Sequence, residues 1–216
     1  IKWCSIMKYK DFRNYKIVRN CKKEYKDYKS YLPNLADDFK HRCAYCNTHD
    51  KYMSQGYSID HFIPREAYKK ANLTELEFDY NNLMYCCPKC NSSKCSQYSG
   101  NIHDGSYKNE FFYNPVDIDY NDIFYRNDYG GISSEDVKGK DMIIRLKLFS
   151  PIYNLSFLIE EITDVVDKLE KKIQETTDLN EKEYYNKAYI KLNNFLRKIT
   201  VLFNCNYYNN SVKMDD

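Results

Sequence analysis

The chain has 216 residues, which is enough to form one substantial domain, or a small domain with a helical extension, and to bury a core without disulfides or metals. Its 33 lysines and arginines are nearly balanced by 31 aspartates and glutamates, so the formal net charge of +2 does not by itself indicate nucleic-acid binding. No run of about eighteen apolar residues is present, which argues against a membrane span.

The cysteine content indicates a reducing compartment. There are nine cysteines, and the odd number, the spacing of the paired ones and the lack of an apolar leader before them do not fit a secreted disulfide framework. We therefore predict a cytoplasmic protein, in which thiols stay reduced. Three cysteines without partner spacing are expected to be buried or free thiols: Cys4, Cys21 and Cys205.

Residues 1–40 are predicted to form a basic segment of one or two short helices that break at Pro33. Ten lysines and arginines lie between Lys2 and Lys29 with tyrosines interleaved among them. Such a mixture can contact phosphates and stack on bases, although a solvated helical face has the same composition. The candidate nucleic-acid contacts in this segment are Lys22, Lys23 and Lys26.

Two CxxC pairs follow, and their members are Cys43, Cys46, Cys87 and Cys90. Two such pairs supply the four thiolates of a tetrahedral structural zinc site. Cys86 and Cys95 are competing ligands, but the CxxC spacing favours the four named first. Three histidines are also open as ligands, and only the last lies where a returning loop could reach the site: His41, His49 and His103.

A short acid-histidine run lies between the two pairs. Residues 57–59 should be extended and lead into Asp60-His61-Phe62-Ile63-Pro64, where the proline closes the strand. Residues 67–81 are predicted to form a short helix or a loop insertion before Asn82. Residues 91–94 should then open a helix after the second cysteine pair.

In this order and spacing the motifs resemble the HNH nucleases, whose site is a ββα-metal finger. The resemblance covers roughly residues 40–96, about a quarter of the chain. It implies that Asp60 and Asn91 hold a catalytic Mg²⁺ or Mn²⁺, ions that prefer oxygen ligands. It also implies that Asn82 ties the loop together through backbone hydrogen bonds and so orients His61.

Two side chains suit the hydrolysis of a phosphodiester bond. A neutral imidazole can accept a proton from water near neutral pH, which makes His61 the candidate general base. Lys94, one turn into the helix, is placed to meet a phosphate, and an ordinary surface lysine is the alternative. For the whole set the alternative is a structural zinc knuckle, which has no reason to carry Asp60, His61 and Asn82 at these spacings.

The chain after the finger is predicted to be a hairpin followed by helices. Turn residues favour a hairpin over residues 123–132, then an apolar helix or strand over 142–149 that Pro151 stops. Residues 156–176 carry apolar side chains at helical spacing. A second helix should follow, with Asn180 as its N-cap and a capping box closed three residues later. The resulting αα-hairpin has a seam that is either core or an oligomer or partner surface.

A looser resemblance concerns this downstream region. The order of Phe111-Phe112-Tyr113-Asn114-Pro115, Ile123-Phe124, a Gly-Gly turn and Leu146-Lys147-Leu148 is similar to HNH proteins of bacterial anti-phage systems such as Septu and retrons. In those systems an ABC-type ATPase controls the nuclease, so the resemblance implies such a regulatory partner. A restriction or mobile-element endonuclease fits the finger equally well.

These observations predict an α+β chain in three parts: a basic helical segment over 1–40, a zinc-stabilised ββα-metal finger over 41–100, and a mainly helical region over 101–216 that ends in an αα-hairpin. The predicted function is a metal-dependent endonuclease in anti-phage defence or restriction. DNA is the expected substrate because HNH relatives mostly cut it, although the residues do not exclude RNA. The alternative is a zinc-containing nucleic-acid-binding or adaptor protein with an inactive site.

Overall fold

The structure is a computed structural model that describes residues 10–209, with side chains described up to residue 206. Cys4 and the basic residues before position 10 lie outside the described residues. The chain divides into two compact units. The first comprises Ile1–Asp128 with Ile132–Phe149, and the second comprises Tyr129–Gly131 with Ser150–Asp216.

The first unit combines short strands and short helices around an apolar core, as expected of an α+β fold. Leu35, Phe39, Phe62 and Leu83 are buried in that core. Its elements in chain order are β1 (Lys10–Asp11), α1 (Leu32–Asp38), β2 (Ser58–His61), α2 (Arg65–Lys70), β3 (Leu83–Cys86), α3 (Pro88–Lys94), β4 (Tyr125–Arg126), β5 (Ile132–Ser133) and α4 (Val137–Arg145).

The predicted ββα finger is present as β2, β3 and α3. The two strands pair antiparallel, with Asp60 opposite Met84 and the next residue of β2 opposite the first residue of β3. Helix α3 begins at Pro88, earlier than the sequence analysis expected. The Cys87 side chain caps this helix by accepting a hydrogen bond from the backbone N–H of Cys90, and proline in a first turn has no N–H that needs a partner.

The one or two short helices predicted for residues 1–40 are found, among the described residues, only at the end of that range, as a 3₁₀ turn at Tyr28–Tyr31 and as α1. Residues 12–27 form no helix, which corrects the prediction for the basic stretch. Long-range hydrogen bonds hold the segment extended, because Arg13 Nη2 donates to the carbonyl of Ala44 (2.9 Å) and Arg19 Nη2 to that of Leu83 (2.6 Å). Pro33 does not break a helix but lies in the first turn of α1.

The predicted hairpin over residues 123–132 is confirmed, because β4 and β5 pair antiparallel. Strand β1 pairs with the other edge of β4, so the sheet has three strands in the order β1-β4-β5. The helix that follows ends at Arg145, before the predicted limit at Phe149. Lys147 has a left-handed backbone (φ 53°), which is incompatible with continuing the helix.

The second unit is the predicted αα-hairpin, formed by α5 (Pro151–Glu175) and α6 (Leu179–Asn209). Pro151 begins α5 rather than stopping the preceding element. The N-cap of α6 is Asp178 and not Asn180, because Asp178 Oδ1 accepts from the N–H groups of Asn180 (2.8 Å) and Glu181 (2.9 Å). No helix within residues 10–209 is long and apolar enough to cross a membrane.

Candidate active site and metal centre

The four cysteines of the two CxxC pairs converge on one point. Their sulfur atoms all lie within 4.8 Å of one another, and all four residues are buried. The Sγ atoms of Cys46 and Cys87 are 3.8 Å apart. A tetrahedral zinc ion with Zn–S distances of about 2.3 Å sets its ligand sulfurs at about this separation. The set therefore fits a structural zinc ion, held by Cys43, Cys46, Cys87 and Cys90.

The first knuckle is fixed by contacts from distant parts of the chain. Asn47, directly after the first cysteine pair, has a left-handed backbone (φ 61°), which asparagine tolerates better than most residues. Its amide nitrogen donates to the carbonyl of Phe12 (2.8 Å). The guanidinium groups of Arg13 and Arg126 donate to the carbonyls of Ala44 (2.9 Å) and Cys46 (3.0 Å). The remainder of the first unit thus stabilises the zinc-binding turn.

The competing zinc ligands are not part of the cluster. The Cys86 sulfur is buried 4.0 Å from that of Cys43 but outside the group of four, and Cys95 is exposed. His41 and His49 lie beside the carboxylate of Asp50 instead, at 2.9 and 3.0 Å. His103 is exposed in a 3₁₀ turn. Within the described residues, no second group of three or more histidines, cysteines and carboxylates could hold a metal ion.

The β2–β3 hairpin presents His61 to a surface cavity of about 290 Å³, which Asp60 and Asn91 also line. His61 Nε2 lies 3.1 Å from the backbone carbonyl oxygen of Glu77. A carbonyl oxygen only accepts hydrogen bonds, so this contact assigns the ring proton to Nε2 and leaves Nδ1 as the acceptor. The imidazole is thereby held in the form that a general base requires.

Asn82 has the hydrogen bonds that the resemblance implies. Its Oδ1 accepts from the N–H of Ile63 (2.8 Å), and its Nδ2 donates to the carbonyls of Ile63 (3.2 Å) and Leu76 (2.9 Å). Its own carbonyl accepts from the N–H of Phe62 (2.8 Å). These four bonds join the two residues directly after His61 to the segment at Leu76.

Asp60 is buried beneath the cavity and is paired with Lys94. The Lys94 ammonium lies 3.1 Å from each carboxylate oxygen and 2.7 Å from the carbonyl of His61. Tyr45 donates its hydroxyl to Asp60 Oδ2 at 2.6 Å, and burial together with this carboxylate raises the pKa of Tyr45 well above its usual value. The expected phosphate contact of Lys94 does not match this geometry, because its side chain is 0% exposed.

The donors for a catalytic cation are one carboxylate and one amide. Asn91 Nδ2 donates to the Ser58 hydroxyl (2.9 Å), which leaves the amide oxygen as the remaining acceptor of that side chain. An ionised carboxylate has more acceptor sites than the contacts that Asp60 makes. Asp60 and Asn91 therefore fit a hard divalent cation that takes its other ligands from water and phosphate. Lys94 already neutralises part of the charge that such a cation would meet.

The predicted nucleic-acid contacts in the basic segment lie at a different surface feature. Lys22, Lys23 and Lys26 are all exposed. The first two line a cavity of about 570 Å³ that also includes aromatic side chains such as Tyr25 and Phe78. Three carboxylates, Glu24, Glu75 and Asp79, line the same cavity, so its charge is mixed and not basic. The exposed lysines beside aromatic side chains remain candidates for backbone contacts and base stacking.

Sequence reasoning missed three residues that surround His61. The rings of Tyr28 and His61 contact edge to face with centroids 4.9 Å apart. Arg65 lies over the Tyr28 ring, and Glu77 provides the carbonyl that binds His61. Arg65 follows the acid-histidine motif directly in the sequence, so its position near His61 could have been predicted. No sequence pattern connects Tyr28 or Glu77 to the site.

The pH dependence of cleavage should report the environment of His61. Burial lowers the pKa of His61 below its ordinary value of 6.5, and this outweighs the hydrogen bond to the Glu77 carbonyl, which favours the charged form. The neutral base then persists as the pH falls past 6.5, and activity should fall only at lower pH. A profile of kcat/KM against pH, which reports the free enzyme, checks this expectation, and a half-maximal point above 6.5 would contradict it.

Comparison with known families agrees with this geometry. Residues 43–97 match the HNH endonuclease family model. The matched region includes both cysteine pairs, the acid-histidine strand and helix α3. No curated protein and no solved structure matches the chain. The finger is thus an HNH domain, and no comparison supports the looser link to anti-phage systems.

Proposed function

We propose that the chain is a metal-dependent endonuclease that hydrolyses phosphodiester bonds in DNA. The observation that carries the proposal is the contact of His61 Nε2 with the Glu77 carbonyl, which leaves Nδ1 as the basic nitrogen of a histidine that lines a cavity with Asp60 and Asn91. A purely structural zinc knuckle does not need a buried histidine held in one tautomer beside two oxygen donors.

In the proposed reaction, His61 Nδ1 takes a proton from a water molecule in the cavity. The water oxygen forms a bond to phosphorus while the bond from phosphorus to the departing sugar oxygen breaks. Asp60 and Asn91 would hold a Mg²⁺ or Mn²⁺ ion, which neutralises charge on the phosphate and on the departing oxygen. Asn82 ties the residues directly after His61 to the segment at Leu76, so that His61 stays aligned with the phosphate.

The buried Lys94–Asp60 pair favours a second candidate function. A carboxylate already neutralised by a lysine is a weaker cation ligand, as expected of a nucleic-acid-binding or adaptor protein with an inactive site. Both candidates predict zinc binding and nucleic-acid binding. Only the first predicts that cleavage depends on an added divalent cation and on His61.

The biological setting is proposed more broadly. We propose anti-phage defence or restriction in the cytoplasm, with control by an ABC-type ATPase, on the downstream sequence order alone. We propose self-association through α5 and α6 on the helical hairpin alone. Exposed apolar side chains on α6, such as Phe195 and Leu202, are compatible with a partner surface. Cleavage measured with and without a co-purified partner would test this setting.

The test of the proposed function is cleavage by wild type and His61→Ala. Supercoiled plasmid, linear duplex and single-stranded RNA are each incubated with Mg²⁺, Mn²⁺ or EDTA. We expect cation-dependent cutting of DNA by wild type, and a loss of at least about a hundredfold in His61→Ala, the usual contribution of a general base. Equal cleavage by the two proteins would refute the role of His61, and binding without cleavage by zinc-loaded wild type would support the alternative.

A further inference from the structure

The cavity around His61 has an unusual charge arrangement for a site that is to receive a phosphate. Asp60 and Glu66 both line it. Lys94, the cation expected from the motif, is buried on Asp60 and points its charge at that carboxylate. Among the described residues that line the cavity, Arg65 is the only lysine or arginine.

Arg65 is held in place on two sides. Its Nη2 donates to Glu77 Oε1 at 2.6 Å, and its guanidinium carbon lies 4.8 Å from the centroid of the Tyr28 ring. The side chain is nevertheless 45% exposed, so it is open to a ligand in the cavity. A guanidinium carries several N–H donors in a planar fork, and those not engaged by Glu77 can bind a phosphate at two points.

Glu77 and Tyr28 connect this cation to the candidate base. The backbone carbonyl of Glu77 binds His61 Nε2 while its carboxylate binds Arg65. The Tyr28 ring contacts the His61 ring on one side and the Arg65 guanidinium on another. The distance between base and guanidinium is therefore set by two shared neighbours and not by a flexible side chain alone.

We propose that Arg65 is the phosphate-binding residue of this site, with Glu77 and Tyr28 as its positioning residues. The inference rests on the proposed function, because it assigns the cation that receives the scissile phosphate. The guanidinium donates to the non-bridging oxygens while His61 takes the proton from water. Lys94 then has a separate task, which is to neutralise the buried Asp60.

The test compares Arg65→Gln with Lys69→Gln, an exposed lysine of the same helix that does not line the cavity. Loss of a charge-assisted hydrogen bond should lower kcat/KM by about tenfold to a hundredfold in Arg65→Gln. The salt dependence of duplex binding should also fall, by about 0.9 in the slope of log K against log salt for one lost phosphate contact. Lys69→Gln should change both quantities by much less.

Arg65→Lys separates charge from geometry. It keeps the positive charge but loses the planar fork and the stacking on Tyr28, so the salt slope should stay near that of wild type while kcat/KM falls. Arg65→Ala with added guanidinium is expected to regain part of its activity, which a purely structural role would not allow. If Arg65→Gln does not fold, these two variants still decide the question.

The outcomes distinguish the inference from the function on which it rests. Unchanged kcat/KM in Arg65→Gln, when wild type cleaves and His61→Ala does not, overturns the assignment of Arg65 and leaves the endonuclease intact. If wild type cleaves nothing, the endonuclease proposal fails. The phosphate-binding role of Arg65 is then tested by duplex binding alone. An Arg65→Gln salt slope equal to that of wild type then overturns the inference as well.

Discussion

Replacing Cys87 by alanine is expected to release the structural zinc ion and unfold the finger. The residue contributes a buried sulfur 3.8 Å from that of Cys46, and the same sulfur caps α3 by accepting from the N–H of Cys90. Structural zinc sites contribute apparent binding free energies of about 10–16 kcal/mol in zinc-finger peptides, far more than a small domain has in reserve. We expect less than one zinc ion per chain and loss of a cooperative unfolding transition.

Cys95→Ala is the matched control, because this cysteine is exposed and lies just after the same helix. It should keep its zinc and its unfolding midpoint. Zinc content and thermal unfolding are measured on both variants, and cobalt substitution reports the tetrahedral thiolate set by its spectrum. Cys86 is buried 4.0 Å from Cys43 and could replace the lost ligand. Full zinc content in a Cys86→Ala/Cys87→Ala double variant would contradict the assigned tetrad.

The zinc centre and the finger were predictable because their signals are local in sequence. A CxxC pair fixes two sulfurs on one turn, and the extended residues 57–59 lead directly into Asp60 and His61. The backbone hydrogen bonds of Asn82 were expected from the family motif, which includes the spacing that brings this residue to the loop. The hairpin over residues 123–132 followed from its turn residues.

The direction of Lys94 could not be predicted from spacing. Its position one turn into the helix is as expected, but whether such a side chain points to solvent or to the core depends on what packs against the helix. Here Asp60, on a strand far away in sequence, provides a buried carboxylate that accepts the ammonium. The surroundings of Arg65 are likewise tertiary, because Tyr28 and Glu77 come from two other segments.

The short helices predicted within residues 1–40 occur only from Tyr28 onward among the described residues, because local composition was the only guide to the stretch before it. Its extended conformation results from bonds to residues far along the chain, such as Arg19 Nη2 to the Leu83 carbonyl. Proline was also misinterpreted twice. Pro33 and Pro151 were taken as stop signals, but both lie in the first turn of a helix, where a missing N–H has no cost.

Lys94→Met is expected to destabilise the protein by about 3–5 kcal/mol, the usual effect of removing one partner from a buried ion pair. Lys94 is 0% exposed and Asp60 is 5% exposed, so water can replace little of the contact that the unpaired carboxylate loses. Urea unfolding of wild type and variant measures the difference. Lys70→Met, an exposed lysine on α2, is the control and should change the free energy of unfolding by less than about 0.5 kcal/mol.

The double variant Asp60→Asn/Lys94→Met should recover most of this loss, because an amide has no charge to leave unpaired and Tyr45 can still donate to its oxygen. The Asp60–Lys94 pair also links stability to the proposed cation site.

If Mg²⁺ binds Asp60, the ion and Lys94 share one carboxylate, so Lys94→Met should bind Mg²⁺ more tightly than wild type. Added Mg²⁺ should then raise the unfolding midpoint of Lys94→Met more than that of wild type, since at a given concentration a ligand that binds only the folded state stabilises it more when it binds more tightly. An equal rise in both proteins would mean that Asp60 is not a ligand of the ion.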